Sequence, residues 1–566
     1  MSDCRPAIGI NINQGKEETM KKKVLAKLVA MVLASTMLFG CGSGSSQSAS
    51  SGSANNTPAS TSVPKAADGS SKYQTTYGSK QFNNVKITVE LFDRSNAPDG
   101  STITDNKWTK YVNEQMNKVG ITVEFVPVPR WDEVTKMQAM VPTGEAPDLT
   151  LTYTYAYAED YFNQGGTWDL SEFVDGDDQA LNMKAYLGTD VINIGRNLKG
   201  NLYGIVAKRA TTAKSNFFIR KDLLKKVGLE VPTNPDELYN ALDKIVKENP
   251  GGNKNTVGAI IWNGWNLKQV FSKIAGDPVA VQVCGGGEDV IQDYYDPGMY
   301  DYYKYMNKLY NNGILHQEYY SLSEDDFKSQ IVTGNLAFCE YSVNGNVDVL
   351  RGSLLKTLQE NVKDADFASI PQFANVNDGK VYTAGYGAGG LIAFCPKTAS
   401  EEVVEACMTY LDWMCTDEGG FVLYHGFENE HYKMIDGVPT VIDAEYNSKD
   451  KDWIRTDIFI VGNQGYFATV DDFNKCTSKE APGYEQYVID NYQYALEGTV
   501  NHDTAYTSPS TADLITDLNI AKDDYQTKLV TCKESEYDAM YKEYMAELKR
   551  IGMDTIIAER EKYYGK

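Results

Sequence analysis

KITVELF at residues 86–92 is the first of three apolar runs with strand character, and the others are ITVEFVPV at 121–128 and DLTLTY at 148–153. Between them, residues 105–118 and 131–140 carry apolar side chains at the spacing of one helix face. The order is therefore strand, helix, strand, helix, strand. Such alternation predicts an α/β architecture, with a parallel sheet flanked by helices.

Ligands of open sheets of this kind bind beyond the carboxyl ends of the strands. The three predicted ends are Asp93-Arg94-Ser95-Asn96, Pro129-Arg130-Trp131 and Tyr153-Thr154-Tyr155. From this edge we take five candidate ligand-binding residues, which are Asp93, Arg94, Asn96, Tyr153 and Tyr155.

A second α/β unit begins near Asn216, where residues 217–219 predict a short strand. Asn234 can cap the helix that follows, and Pro235 suits its first turn. Residues 257–261 predict a strand that runs into a loop with two Trp residues. The candidates from this unit and from later strand ends or crossings are Trp262, Asn263, Trp265, Glu340, Tyr341 and Tyr386.

The N-terminal region has the pattern of a secretory signal. Lys21, Lys22 and Lys23 precede an apolar run at residues 24–39, which predicts a signal peptide with Met20 as an alternative start. LFGC at 38–41 resembles the lipobox of bacterial lipoproteins, so we expect Cys41 to be lipidated and to anchor the protein to a membrane.

Composition limits the classes of partner. After Cys41 the chain is rich in Ser, Gly, Ala and Thr to about residue 80, which predicts a flexible tether. The net charge of -23 argues against nucleic acid and against an anionic membrane surface as partners, because both need a basic patch. The remaining chain is long enough for two or three domains.

No cofactor or metal is predicted. The sequence has no CxxC and no His/Cys cluster at metal-ligand spacing. Residues 175–178 (DGDD) lack the spacing of an EF-hand loop, which favours a solvated acidic loop over a calcium site. His425 and His431 occur in a turn for which we expect a structural role.

Several segments resemble, in their order along the chain, the family 1 extracellular solute-binding lipoproteins that serve carbohydrate-type ABC importers of Gram-positive bacteria. The resemblance extends from Asn84 to Gly437. The segments that carry it are RWD at 130–132, GEAPD at 144–148, KGNLYGI at 199–205, RKDLLKKVGLEVPT at 220–233, LDWM at 411–414 and HGFENEHY at 425–432.

The resemblance implies a two-lobed, periplasmic-binding-protein-like fold of type II, in which each lobe is a mainly parallel sheet flanked by helices and the ligand cleft lies between the lobes. Five segments are then expected: a signal peptide at 1–40, the lipidated Cys41 and tether at 41–80, a first lobe at 81–210 plus about 325–380, a second lobe at 211–324 plus about 385–440, and a C-terminal helical extension at 441–566 that packs on the lobes.

The resemblance also implies a function. We expect a monomeric protein without catalytic residues, lipid-anchored on the extracellular face of the cell membrane. It would capture a sugar or oligosaccharide by cleft closure and deliver it to the permease subunits of an ABC importer. Two alternatives stay open: a surface glycoside hydrolase that uses paired carboxylates, since 77 Asp and Glu could supply such a pair by chance, and a binding protein for a non-sugar ligand such as a peptide. An adhesin would be expected to show repeats, and we find none.

Overall fold

The computed structural model describes residues 65, 69–197, 199–209, 211–262, 264–285, 289–343, 354–463, 465–466, 470–502 and 508–565. The predicted signal peptide, Cys41 and most of the predicted tether lie outside these residues, as does Asn263. None of the helices in the described ranges has both the length and the apolar composition needed to cross a membrane.

The strands in chain order are β1 (Val85–Asp93), β2 (Ile121–Pro129), β3 (Thr150–Thr152), β4 (Ile205–Arg209), β5 (Ser215–Arg220), β6 (Val257–Ile261), β7 (Leu336–Ser342), β8 (Phe367–Ile370), β9 (Tyr382–Gly385), β10 (Gly389–Phe394), β11 (Tyr432–Ile435), β12 (Val438–Val441), β13 (Gly462–Asn463) and β14 (Thr499–His502). The helices are α1 (Lys107–Asn117), α2 (Glu133–Thr143), α3 (Tyr155–Asn163), α4 (Ser171–Val174), α5 (Leu181–Ile194), α6 (Lys221–Lys226), α7 (Pro235–Glu248), α8 (Trp265–Phe271), α9 (Pro278–Cys284), α10 (Asp289–Tyr295), α11 (Met299–Asn311), α12 (Glu324–Val332), α13 (Leu354–Asn361), α14 (Glu401–Met414), α15 (Val422–His425), α16 (Ala444–Asn447), α17 (Arg455–Ile458), α18 (Val470–Ser478), α19 (Glu485–Ala495), α20 (Thr511–Thr531), α21 (Tyr537–Ile551) and α22 (Met553–Tyr564).

The first sheet belongs to the N-terminal lobe and has the order β2–β1–β3–β10–β4–β13. β1 and β2 pair in parallel along their whole length, and Leu149, just before β3, exchanges backbone hydrogen bonds with Thr88 and Glu90 of β1. β10 runs antiparallel to β3 and β4, whereas β13 is parallel to β4. Every strand in this order except β10 therefore runs in one direction.

The second sheet also has a single strand that runs against the others, and its strand order is β6–β7–β5–β8. β6 and β7 are parallel, and β5 is antiparallel to β7 and β8. Phe217 and Ile219 enter a core on one face of the sheet, while Phe218 enters a core on the other. Helices thus cover both faces, as a strand made of consecutive apolar residues requires.

The two antiparallel strands mark where the chain passes between the lobes. β5 follows the passage from β4, and β10 follows the passage from β9. A third passage runs along α19 and β14, and β14 pairs in parallel with β9. On α19, Val488 and Tyr492 lie in the first-lobe core, whereas Asn491 contacts Asn216 of the second lobe.

The structure corrects the expected assignment of the later segments to the lobes. We expected residues 325–380 in the first lobe and 385–440 in the second. Instead, β7 and β8 flank β5 in the second sheet, and β10 lies between β3 and β4 in the first. An apolar run indicates a strand, but it does not indicate which sheet accepts that strand.

The C-terminal segment 441–566 is divided between the lobes instead of forming one extension. Ile454 and Phe459 are part of the first-lobe core. Leu518 of α20, Tyr544 of α21 and Ile556 of α22 are part of the second-lobe core. The last three helices are therefore integral to the second lobe.

The folded part also begins earlier than residue 81, the expected end of the tether. The Tyr73 ring is stacked on Phe173 with centroids 4.0 Å apart. The hydroxyl of Thr75, which is fully buried, donates to the Phe173 carbonyl at 2.7 Å. Residues 69–80 thus pack on the first lobe.

The predicted alternation of strands and helices over residues 86–153 is confirmed. The predicted start of α7 is confirmed as well, because the Asn234 side chain accepts a hydrogen bond from the Glu237 amide at 2.9 Å and Pro235 is the first helical residue. These local signals are strong enough to survive tertiary packing.

Candidate functional site

Two passages between the lobes lie side by side. Tyr386 N donates to the Thr212 carbonyl at 2.8 Å, and Arg209 N donates to the Ala388 carbonyl at 3.0 Å. Because β1, β2, β3 and β4 are parallel, their carboxyl ends meet at the edge of the first sheet from which these passages leave. The candidate site is built on this edge.

Arg130, at the end of β2, lies among aromatic rings. Its guanidinium carbon is 4.2 Å from the centre of the Tyr153 ring and 5.1 Å from the centres of the Phe92 and Trp131 rings. The Nε of Arg130 is buried and has no hydrogen-bond partner among the described residues. Trp131, by contrast, is 80% exposed. The edge therefore presents an open indole beside a stacked arginine.

Arg94, which follows β1, is held by an ion pair. Its Nε and Nη2 donate to the Asp457 carboxylate at 2.7 and 2.9 Å, and the Asp457 side chain is only 3% exposed. Burial raises the pKa of Asp457, and the hydrogen bonds from Arg94 oppose that rise. The guanidinium also lies 5.8 Å from the Trp131 ring centre. Asp457 thus fixes Arg94 beside the exposed indole.

Arg209 ends β4 at the first passage. Its Nε donates to the Gly389 carbonyl at 2.8 Å, and its guanidinium carbon is 4.0 Å from the Tyr386 ring centre. The Tyr155 hydroxyl donates to the Gly390 carbonyl at 2.6 Å. These contacts join the strand edge to the crossing segment.

The positive charges of the three arginines act on one phenol. Burial raises the pKa of Tyr153, and the positive charges of Arg130, Arg94 and Arg209 oppose the rise. Burial also raises the pKa of Tyr155, with Arg209 opposing. Both phenols are therefore neutral donors at physiological pH.

Aromatic and basic groups continue across the passage to the second lobe. The Lys214 ammonium lies 5.3 Å from the Tyr386 ring centre and 4.7 Å from the Trp265 ring centre. Trp265 is half-buried and begins α8 of the second lobe. The site therefore extends from one lobe to the other.

Several predicted site residues meet here. Arg94, Tyr153, Tyr155, Trp265 and Tyr386 all belong to the arrangement just described. At its rim, the Asp93 carboxylate accepts a hydrogen bond from Ser95 N at 2.8 Å, and exposed Asn96 donates to the Trp453 carbonyl at 3.1 Å.

The structure places Trp262 and Tyr341 in a different cluster. Their rings pack against Phe327, with centroids 4.8 and 4.6 Å away. The Trp262 Nε1 donates to the Tyr319 carbonyl at 3.1 Å, and the Tyr341 hydroxyl donates to Glu324 at 2.9 Å. These contacts give both rings a packing role in the second lobe.

Glu340 is enclosed and does not join the candidate site. Its carboxylate accepts hydrogen bonds from the Ser215 hydroxyl at 2.7 Å and from the amides of Asn266 and Leu267 at 2.6 and 3.2 Å. Burial raises the pKa of Glu340 to about 7, against the opposing effect of these bonds. Its role is to hold the start of α8 against β5.

Sequence reasoning missed Arg130, Trp131, Arg209, Lys214 and Asp457. Arg130 and Trp131 stand at a strand end that the sequence already indicated, and Arg209 ends the strand before the first passage. These three residues could therefore have been predicted from their positions at the ends of strands. Asp457 carried no such signal, because it lies 363 residues from its partner Arg94.

Acidic side chains in two places that could be considered for metal binding are paired with cationic side chains. Glu430, His431 and Asp450 are close enough to share an ion, but the Lys107 ammonium lies 2.5 Å from Glu430 and 3.3 Å from Asp450. In the acidic loop at 175–178, Asp175 pairs with Arg196 at 2.5 Å. Glu430, Asp450 and Asp175 thus form ion pairs with lysine or arginine side chains.

A family model described as bacterial extracellular solute-binding protein matches residues 110–424, which is more than half of the chain. The chain belongs to this family. The resemblance expected from the sequence is therefore confirmed. Most of the candidate site of this solute-binding protein falls within the matched residues, whereas Arg94 and Asp457 fall outside them.

Relatives and solved structures agree with the family. Lipoprotein LipO of Bacillus subtilis (strain 168) is 24% identical over 449 residues, or 76% of this chain and 78% of LipO. The alginate-binding protein AlgQ2 has a TM-score of 0.60 at 15% identity and covers 86% of this chain and 98% of its own. An HMO-binding, ABC-transporter-associated solute-binding protein of Bifidobacterium longum infantis has a TM-score of 0.59 at 15% identity, with 85% and 99% covered. The predicted two-lobed α/β fold is confirmed.

Proposed function

We propose that this protein binds an extracellular sugar or oligosaccharide between its lobes and delivers it to an ABC importer. The observation that carries the proposal is the Trp131 ring, 80% exposed at the edge of the first sheet. An exposed indole can stack on the apolar face of a sugar ring. The neighbouring guanidinium groups of Arg94 and Arg130 supply donors for sugar hydroxyls.

The structural neighbours support a saccharide as the class of ligand. AlgQ2 is described as alginate-binding, the Bifidobacterium protein as HMO-binding, and FusA of S. pneumoniae was solved in complex with kestose. FusA has a TM-score of 0.59 at 14% identity and covers 85% of this chain and 99% of its own.

Closure of the cleft is the proposed mechanism. Arg209 and Tyr386 lie on the passages about which the lobes would move, and Trp131 and Trp265 lie on opposite lobes. A ligand that contacts both lobes stabilises the closed form by its differential affinity for that form. The importer would then recognise the closed protein.

The proposal includes a lipid anchor at Cys41 that holds the protein on the extracellular face of the membrane. Its support is the lipobox-like LFGC at 38–41 and the similarity to a lipoprotein. In a Gram-positive host, a Cys41→Ser variant is expected to move from the membrane fraction to the culture medium, as followed by immunoblot. Retention of the variant on the membrane would refute this anchor.

A thermal-shift screen of the purified chain tests the ligand class, using neutral and acidic mono- and oligosaccharides, peptides and amino acids. A ligand at about 100 times its Kd adds about 2.7 kcal/mol to the folded state, so a specific saccharide should raise the Tm by several degrees. Product analysis by chromatography follows each hit. Cleavage of the saccharide would favour the glycoside hydrolase, and hits confined to peptides would refute the sugar proposal.

Trp131→Ala is expected to weaken binding of the saccharide found in that screen by about 10-fold, because it removes the stacking face. The Tm of the free protein should hardly change, since the ring is largely exposed. Tyr320→Ala removes another exposed aromatic ring, 53% exposed in the second lobe, and serves as the matched control. Equal affinities of the two variants in calorimetric titration would exclude Trp131 from the site.

A further inference from the structure

The carboxyl edge of the first sheet concentrates positive charge in an acidic protein. The chain carries a net charge of -23, yet Arg94, Arg130 and Arg209 all stand at the carboxyl ends of parallel strands of the first sheet, and Lys214 stands on the adjoining passage. Such a concentration attracts anions even when the whole molecule is negative, because local charges dominate within a cleft.

The carboxylates near this edge compensate only part of that charge. Asp457 accepts hydrogen bonds from Nε and Nη2 of Arg94, and the Asp93 carboxylate at the rim accepts one from Ser95 N. Glu133 accepts a hydrogen bond from the Tyr153 amide at 3.2 Å, and Glu90 has a pKa raised to about 8 by burial, so Glu90 is mainly neutral at pH 7. Within the described residues, Arg130 and Arg209 have no carboxylate within ion-pair distance.

Most N–H groups of Arg130 and Arg209 donate no hydrogen bond to a described residue. Arg130 donates no hydrogen bond to any described residue, and Arg209 donates only from Nε, to Gly389. Both guanidinium groups have an aromatic ring against one face, Tyr153 for Arg130 and Tyr386 for Arg209. Stacking uses the face of a guanidinium, so the Nη groups of both side chains, which have no acceptor among the described residues, can still pair edge-on with a carboxylate.

We propose that the saccharide bound here is acidic and that Arg130 and Arg209 pair with its carboxylate. This inference rests on the proposed function. Closing the lobes over the site would remove water from both guanidinium groups, and a buried charge without a counter-charge is costly. A neutral sugar supplies hydroxyl acceptors only, whereas a uronate supplies the missing negative charge in the planar form that a guanidinium fork matches.

Matched pairs of ligands test the proposal. The probes are galacturonate, glucuronate and mannuronate oligosaccharides, the same oligosaccharides after reduction of each carboxyl to a hydroxymethyl group, and sulfated oligosaccharides of similar length. Calorimetric titration is expected to show at least one uronate that binds about 10-fold or more tightly than its reduced partner. That gap should shrink as salt rises, because salt screens the charge pairing.

Substitutions locate the pairing. Arg130→Met and Arg209→Met should each weaken binding of the preferred uronate by about 10- to 100-fold, the range for one charge-assisted hydrogen-bonded pair, with little change for its reduced partner. Arg550→Met is the matched control, because Arg550 is an exposed arginine of α21 that bonds to Glu547. Should Arg130→Met lower the Tm of the free protein, Arg130→Lys and Arg209→Met carry the test.

The outcomes separate this inference from the proposed function. Equal affinity for a uronate and its reduced partner, or binding of neutral saccharides alone, overturns the acidic ligand and leaves a sugar-binding protein. Preference for the sulfated probe overturns the carboxylate assignment. If no saccharide of any kind binds, both the proposed function and this inference are refuted.

Discussion

Asp293→Ala is expected to lower the free energy of unfolding by about 3–5 kcal/mol, because it removes the carboxylate paired with a buried ammonium. Lys268 Nζ lies 3.3 Å from Asp293 Oδ1, and the two side chains are 2% and 0% exposed. The other Asp293 oxygen accepts hydrogen bonds from Tyr303 at 2.7 Å, Tyr544 at 2.9 Å and Gln526 at 3.1 Å. One substitution therefore disturbs a charge and three donors.

The same carboxylate connects the C-terminal helices to the second lobe. Gln526 belongs to α20 and Tyr544 to α21, whereas Asp293 belongs to α10. Loss of the carboxylate should therefore loosen these helices first. Hydrogen exchange is expected to show faster exchange in α20 and α21 than in the first lobe.

Urea denaturation with two companion variants measures the effect. The double variant Lys268→Met with Asp293→Ala should be more stable than Asp293→Ala alone, because it also removes the buried positive charge. Glu445→Ala is the control: Glu445 pairs with Lys449 at 2.7 Å on the surface, so its loss should change the free energy of unfolding little. A double variant no more stable than the single variant would contradict the account of a buried ion pair.

The sequence predicted individual strands and helices better than it predicted which sheet each strand joins. The alternation over residues 86–153 followed from periodicity, and the start of α7 followed from Asn234 and Pro235, because both signals are local. The lobe assignment of β7, β8 and β10 was wrong, since choice of sheet depends on contacts between distant segments. The chain passes between the lobes more than once, so each lobe is assembled from segments that are distant in sequence.

The same distinction holds for the candidate site. Strand-end reasoning led to Arg94, Tyr153 and Tyr155, because parallel strands place their carboxyl ends on one edge. It could not distinguish Trp265, which extends the site, from Trp262, which packs on Phe327. Both are Trp residues at the end of one strand, and only the tertiary packing separates them.

Glu90 of β1 is a buried carboxyl group in the first lobe, where ionisation is unfavourable. The side chain is 1% exposed; Oε2 accepts a hydrogen bond from Leu151 N at 3.0 Å, and Oε1 has no partner among the described residues. Burial raises its pKa from the ordinary value of 4.5 to about 8, the Leu151 amide opposes the rise, and the negative charge of Glu133 adds to it.

The direction of the pH dependence follows from linkage. Below pH 4.5 Glu90 is protonated in both the folded and the unfolded chain, so it contributes no pH dependence there. Between pH 4.5 and about 8 the unfolded chain releases the proton and the folded chain retains it. The free energy of unfolding therefore falls as pH rises through this window, by about 1.4 kcal/mol per pH unit.

Glu90→Gln is expected to remove this dependence, because glutamine keeps an acceptor for the Leu151 amide and does not ionise. Relative to the unsubstituted protein, the variant should gain roughly 4 kcal/mol of stability between pH 5 and pH 8.5. Urea denaturation at both pH values measures the difference, and all other titrating groups cancel in the comparison. Glu114→Gln, which replaces an exposed carboxylate of α1, is the matched control. A Glu90→Gln advantage that stays constant with pH would show that Glu90 ionises in the folded protein as it does in the unfolded chain.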